Sequence, residues 1–125
     1  MIHEKYVAGE PKENFPPHTF TKAERMIRVS LGPDTDALPV SAVRIGPAVF
    51  VGLPGEPFNG IGLGLKENSP FAVTLPCCLV NGGQGYYPMY ECYAEGGYEA
   101  GSSNFKEGVA ERLIQTGTEL MNLLK

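Results

Sequence analysis

The apolar residues of this chain change period from stretch to stretch, and the changes outline its elements. Residues 1–23 keep few apolar positions in register and contain Pro11, Pro16 and Pro17, so they read as an irregular arm. In Arg25 to Leu31 (RMIRVSL), Met26, Arg28 and Ser30 alternate with Ile27, Val29 and Leu31, which predicts a half-buried strand. Gly32 to Pro39 is a loop by composition. Val40 to Leu53 forms two β-runs that meet at Gly46-Pro47. The second, Ala48 to Leu53, is almost wholly apolar, the pattern of a central strand covered on both faces. After the turn Pro54-Gly55-Glu56-Pro57, residues Phe58, Ile61 and Leu65 share one helical face, and this helix should end near Asn68-Ser69-Pro70. Phe71 to Val80 is a third β-run, confined by Pro76 to an edge, a bulge or two short pieces. Asn81 to Gly101 reads as a loop region rich in glycine and tyrosine. From Asn104 the period is helical, with Asn104 and Glu107 spaced as a capping box and Phe105, Val109, Leu113, Leu120 and Leu124 forming an apolar stripe. No internal repeat is visible. The expected fold class is α/β (or α+β): a mixed β-sheet of several strands, a glycine-rich helix after the PGE turn and a C-terminal amphipathic helix.

Length and composition refine this outline. The 125 residues suit one domain, long enough to bury roughly two thirds of its unfolded surface without a disulfide or metal. Thirteen of the 16 glycines lie between Gly46 and Gly108. Glycine at that density signals backbone approaching backbone or a ligand. Gly60, Gly62 and Gly64 fall within the helix after the PGE turn, each at a cost of about 1 kcal/mol relative to Ala, so that helix should be pressed against a neighbour. The net charge is −4 and no Lys or Arg cluster exists, which argues against binding nucleic acid by phosphate neutralisation. No apolar run approaches the ~18 residues of a membrane span, and the amino terminus lacks the apolar core of a signal peptide, so a cytoplasmic chain is expected. Cys77, Cys78 and Cys92 are odd in number and match no zinc-knuckle spacing; they read as free thiols.

Several chemistries fail on spacing. Gly55 to Gly60 resembles the start of a phosphate loop, but Ile61 and Gly62 stand where Lys and a hydroxyl are needed. A dinucleotide fingerprint starting at Gly62 meets Glu67 in place of its third glycine. There is no G-x-S-x-G elbow, and the two histidines, His3 and His18, lie in the irregular arm, where they assemble no triad. What survives is the carboxyl end of the apolar strand, where layered α/β folds bind their ligands. Glu56 sits there, either as the cap of the following helix or as a ligand. A second polar cluster, Asn81-Gly-Gly-Gln-Gly-Tyr86, follows the next strand. If the two strands run side by side in one direction, both emerge at the same edge. Five of the six tyrosines fall in this region, as packing or interface surface, or as metal ligand and oxyanion donor beside the carboxylate.

Three ordered pieces, AVFVGLPGEPF (Ala48 to Phe58), NGGQGYYP (Asn81 to Pro88) and YAEGGYEA (Tyr93 to Ala100), resemble the neutral/alkaline ceramidase family of zinc-dependent amidohydrolases. The resemblance runs from about Val40 to Lys125, within residues 24–125, and matches the carboxy-terminal part of that family's catalytic domain. It implies zinc ligands at Glu56 and Tyr86, and at Tyr98 a hydroxyl that hydrogen-bonds the reacting amide and stabilises the developing oxyanion. It implies hydrolysis of an N-acyl amide or lipid-like substrate, ceramide being the sphingolipid example. The family's two zinc histidines, one in a His-x-His motif, come from sequence further upstream, and no such motif occurs here. The chain is therefore expected to be a C-terminal fragment or truncated relative, inactive alone and completed by an upstream half of a ceramidase-like domain. The alternative is a non-catalytic binding or assembly module that keeps the fold, exposes an apolar face and covers it as a homo-oligomer.

Overall fold

The computed structural model describes residues 2–125, with the side chains of Ile2, His3 and Tyr6 excepted. The chain divides into two compact units, Met1–Asp36 and Ala37–Lys125. The first is helical: α1 (Ile2–Val7), a single 3-10 turn (Lys12–Asn14) and α2 (Thr19–Ser30). The alternation at Arg25–Leu31 therefore misleads, because it lies almost wholly within α2. Over the longer window Phe20, Ala23 and Ile27 recur at helical spacing, and this is the side that is wholly or partly buried. A seven-residue window is too short to separate the two periods. The stretch that reads as an irregular arm carries α1, the 3-10 turn and the first turns of α2. Phe15 packs edge-on against Phe20, with ring centroids 5.1 Å apart.

The second unit is an α/β layer arrangement around one mixed sheet. Strands β1 (Ser41–Ile45) and β2 (Ala48–Gly52) pair antiparallel around the Gly46-Pro47 turn. A short strand, β3 (Glu56–Pro57), and helix α3 (Asn59–Glu67) then carry the chain to β4 (Val73–Cys77), which pairs parallel with β2. The sheet order is β1-β2-β4, so the apolar run does form the central strand. Pro76 lies on an edge strand, where its missing N–H is tolerated. The tyrosine-rich stretch is more ordered than a loop: β5 (Tyr86–Tyr87), α4 (Cys92–Glu95) and α5 (Tyr98–Ser102) lie within it. The chain closes with α6 (Val109–Leu123).

Val49 and Val51 point to the inner side of the sheet and are fully buried with Ile61 and Leu65 of α3 and Leu113 and Met121 of α6. Glycine sets how closely the helices approach. A Cβ on Gly64 would stand 2.8 Å from Ile114, and one on Gly117 2.5 Å from Leu65. Gly60 is likewise held against Met89, whereas Gly62 meets only Pro76 at an ordinary 3.8 Å. The outward residues of the same strands lack cover: Val43, Ile45, Phe50, Val73 and Leu75 are all exposed. The expectation of a central strand covered on both faces is thus met on one face only.

Two helix starts also differ from their sequence signals. Helix α3 begins at Asn59, so Glu56 is a strand residue and caps nothing. Helix α6 begins after Gly108 rather than at Asn104, and no side-chain cap bond forms there. The Phe105 and Lys106 carbonyls instead accept hydrogen bonds from the Tyr93 hydroxyl, at 2.9 and 3.2 Å. The Phe105 ring packs on Tyr87 at 5.1 Å. No helix among the described residues is long and apolar enough to cross a membrane.

Candidate active-site edge

The parallel pairing of β2 with β4 continues beyond the sheet as a seam of backbone hydrogen bonds. Leu53 N–H donates to the Cys77 carbonyl at 2.8 Å, and Val80 N–H donates to Leu53 at 2.9 Å. Leu79 N–H donates to Gly55 at 2.8 Å, and Gly55 N–H in turn donates to Gly82 at 3.0 Å. Glu56 N–H then donates to the Gly85 carbonyl at 2.8 Å, which opens the β3–β5 pairing. Register makes Glu56 the direct partner of Tyr86, and Pro57 that of Tyr87. Two turns that lie thirty residues apart in sequence are thus locked together by main-chain bonds.

The seam depends on unusual backbone at two kinds of residue. Gly55 has φ of 67°, and a Cβ there would stand 2.5 Å from the Gly85 carbonyl oxygen, so only glycine fits. Leu79 and Asn81 adopt left-handed φ values of 56° and 59° without being glycine. Such strain persists only where the surroundings hold it, and it concentrates at ligand-handling sites. Here the hydrogen bonds of the seam hold it.

The structure brings all three residues singled out in the sequence, Glu56, Tyr86 and Tyr98, to this edge. The Glu56 carboxylate is the main reason the pKa of the Tyr86 phenol is raised above the ordinary tyrosine value. Partial burial, Tyr98 and Glu99 push it further in the same direction. The Tyr86 ring meets the Tyr98 ring edge-on, with centroids 6.2 Å apart and planes at 74°. Tyr98 is the first residue of α5 and is 73% exposed, so its hydroxyl is open to a ligand. Sequence reasoning missed two participants. Ser103 Oγ donates to the Tyr86 carbonyl at 2.9 Å and accepts from Phe105 N–H at 3.2 Å, which ties β5 to the turn before α6. Glu99 adds a second carboxylate to the electrostatics at Tyr86. The YEA fragment displays Glu99 beside Tyr98, but nothing in the spacing of Ser103 marks its role.

Two oxygen donors, one carboxylate and one phenol, suit a hard or borderline cation such as zinc. They fill only part of the coordination that a catalytic zinc draws from protein, three ligands as a rule. Among the described residues no three His, Cys, Asp or Glu side chains come together. His18 is exposed at the start of α2, and the His3 side chain lies outside the described residues. The three cysteines are free; Cys77 and Cys92 are half-buried and Cys78 is exposed. Comparison with known proteins returned no family model, no curated relative and no solved structure that matches this chain.

Proposed function

We propose that the Glu56–Tyr86–Tyr98 edge is one side of the active site of a zinc-dependent, ceramidase-like amidohydrolase acting on an N-acyl amide. The observation that carries this reading is the β3–β5 register, which makes Glu56 and Tyr86 direct neighbours across thirty residues of sequence. Glu56 and Tyr86 would hold the metal as oxygen ligands. When bound, zinc supplies Lewis-acid polarisation of an amide carbonyl and an acidified water. Tyr98, exposed and in edge contact with Tyr86, would donate its hydroxyl proton in a hydrogen bond to the oxygen on which negative charge develops. Glu56 raises the Tyr86 pKa, so a cation held by the phenolate would have to displace its proton, and uptake would strengthen as pH rises. The remaining ligands would come from another polypeptide segment. Soluble and cytoplasmic operation on a ceramide-like or other N-acyl substrate belongs to the same proposal.

Zinc titration calorimetry tests it. The chain should bind zinc weakly, and Glu56→Gln and Tyr86→Phe should each abolish the binding while Glu67→Gln leaves it intact. Binding that survives both substitutions, or no zinc binding at all, overturns the reading. A second reading, a non-catalytic binding or assembly module, draws on the lack of a third clustered ligand among the described residues.

A further inference from the structure

The Glu56–Tyr86–Tyr98 edge is held together by two different means. Main-chain pairing of β3 with β5 fixes Glu56 beside Tyr86. Tyr98 comes instead from α5, a five-residue helix with no buried residue and too short to be stable in isolation. Tyr98 is 73% exposed, so its edge contact with the Tyr86 ring buries little apolar area. The helix is entered through Gly96 and Gly97, at φ of 81° and 101°, with nothing within 4 Å of where either Cβ would stand. Two such glycines accept other backbone angles at little cost, so the chain before α5 does not by itself aim Tyr98.

At its other end the helix is anchored. Ser103 closes α5 and is half-buried, with its N–H donating to the Ala100 carbonyl at 3.3 Å. Its Oγ donates to the Tyr86 carbonyl at 2.9 Å and accepts from Phe105 N–H at 3.2 Å. The base of this anchor is firm. The Tyr93 hydroxyl, 3.5 Å from Ser103 Oγ, donates to the Phe105 carbonyl at 2.9 Å, and the Phe105 ring packs on the fully buried Tyr87. One hydroxyl thus joins the end of the Tyr98 helix to the main chain of Tyr86. We propose that Ser103 is the positioning residue of this edge: its hydroxyl pins α5 to β5 and so sets the Tyr98 phenol beside Tyr86. Ser103 acts through Tyr98, because a donor serves a developing oxyanion only when it is already held in place. The tether is independent of zinc; only its value to an oxyanion rests on the role proposed above for Tyr98.

Nuclear magnetic resonance of the metal-free chain is the test, with the variants Ser103→Ala, Ser103→Thr and the neighbouring control Ser102→Ala. The native chain should show a nuclear Overhauser contact between the rings of Tyr86 and Tyr98. Ser103→Ala should abolish it and speed exchange of the Gly101 amide, bonded within α5 to the Gly97 carbonyl, by about 5-fold or more. The Glu56 amide, bonded to the Gly85 carbonyl, should keep its native rate, which a general loss of stability would not allow. Ser103→Thr keeps the hydroxyl and should keep both the ring contact and the native Gly101 rate, as should Ser102→Ala. No ring contact in the native chain, a contact that persists in Ser103→Ala, equal acceleration at Gly101 and Glu56, or either control behaving like Ser103→Ala overturns the proposal. Zinc titration separates it from the metal reading: Ser103→Ala should bind zinc as the native chain does, since Glu56 and Tyr86 keep their register, and a selective loss there also overturns the proposal. A native chain that binds no zinc overturns the metal reading and leaves the ring contact to decide this one.

Discussion

The inner and outer faces of the central sheet are built from alternate residues of the same three strands, yet only one of them is finished. On the inner face Val49 and Val51 are fully buried beneath α3 and α6, and Gly64 and Gly117 let the two helices close on each other and on the sheet. On the outer face Val43, Phe50 and Leu75 stand in a row and remain exposed. Parallel pairs such as β2–β4 are normally covered on both sides, because their crossovers lay helices on each face. The contrast shows that apolar alternation reports which residues prefer burial, while the number of packed layers decides which of them are buried.

A single chemistry placed on each face should break the symmetry of the pattern most sharply. Val51→Asp puts an unpaired carboxylate among Leu65, Met121 and their neighbours, and a loss of at least about 4 kcal/mol in urea unfolding is expected. Phe50→Asp, on the adjacent residue but the other face, should cost about 1 kcal/mol or less. Equal losses at the two positions would mean that the outer face is buried within one chain.

The next effect concerns the seam that carries the pairing of β2 and β4 beyond the finished core to the Glu56–Tyr86 edge. Gly55→Ala forces an L side chain into a left-handed φ and against the Gly85 carbonyl oxygen. A destabilisation of about 2–3 kcal/mol is expected. The amide resonances of Gly82, Gly85 and Tyr86 should move together, since their main chains share the seam. A shift confined to residue 55 and its immediate neighbours would show that the two turns are not mechanically joined.

The seam also marks where the sequence stops being legible. The strands around Gly46-Pro47, the helix ending near Asn68 and the central place of Ala48–Gly52 all follow from period and punctuation. Helix α2 does not, because the window Arg25–Leu31 fits both periods and only Phe20 and Ala23 outside it decide. The stripe of α6 is only partly visible. Leu113 belongs to it, but the buried line runs Ala110, Leu113, Gly117, Met121, and a glycine does not advertise itself as a core residue. Glu56, Tyr86 and Tyr98 are visible as residue types at turns, whereas their adjacency depends on a parallel register that no local pattern encodes. Ser103 is invisible because its partners are main-chain atoms that the fold brings to it.

A smaller effect sharpens the packing side of the comparison. Gly117→Ala gains about 1 kcal/mol of helix propensity, but its Cβ collides with Leu65 at 2.5 Å and crowds Val51 at 3.3 Å, an overpacking cost of about 1–3 kcal/mol. The net should be a loss of about 1 kcal/mol. Gly62→Ala meets only Pro76 at 3.8 Å, so propensity should prevail and the chain should gain about 0.5–1 kcal/mol. Opposite signs at two helical glycines, read from urea midpoints at constant slope, would confirm that contact with the inner core sets the outcome. Two stabilising results would show that the core yields more readily than its burial suggests.

The smallest expected effect is a pH dependence on the packed side of the second unit, at Tyr93. Its hydroxyl donates to the Phe105 carbonyl, and burial, more than the nearby Glu111 and Glu107, pushes its pKa above the ordinary value despite an opposing hydrogen bond with Ser103. In the unfolded chain a tyrosine titrates near about 10. From that pH upward the native state therefore holds more protons than the unfolded state, and linkage requires stability to fall as pH rises through the raised native value. Tyr93→Phe removes both the hydrogen bond and the titration. Near neutral pH the variant should be less stable than the native chain by about 1 kcal/mol. Above about pH 10 the difference should shrink, because only the native chain must then bury a phenolate or hold its proton against the solvent. A gap that stays constant through this range in pH-dependent urea unfolding would mean that Tyr93 titrates as it does in the unfolded chain, and that the turn before α6 is wetter than its contacts indicate.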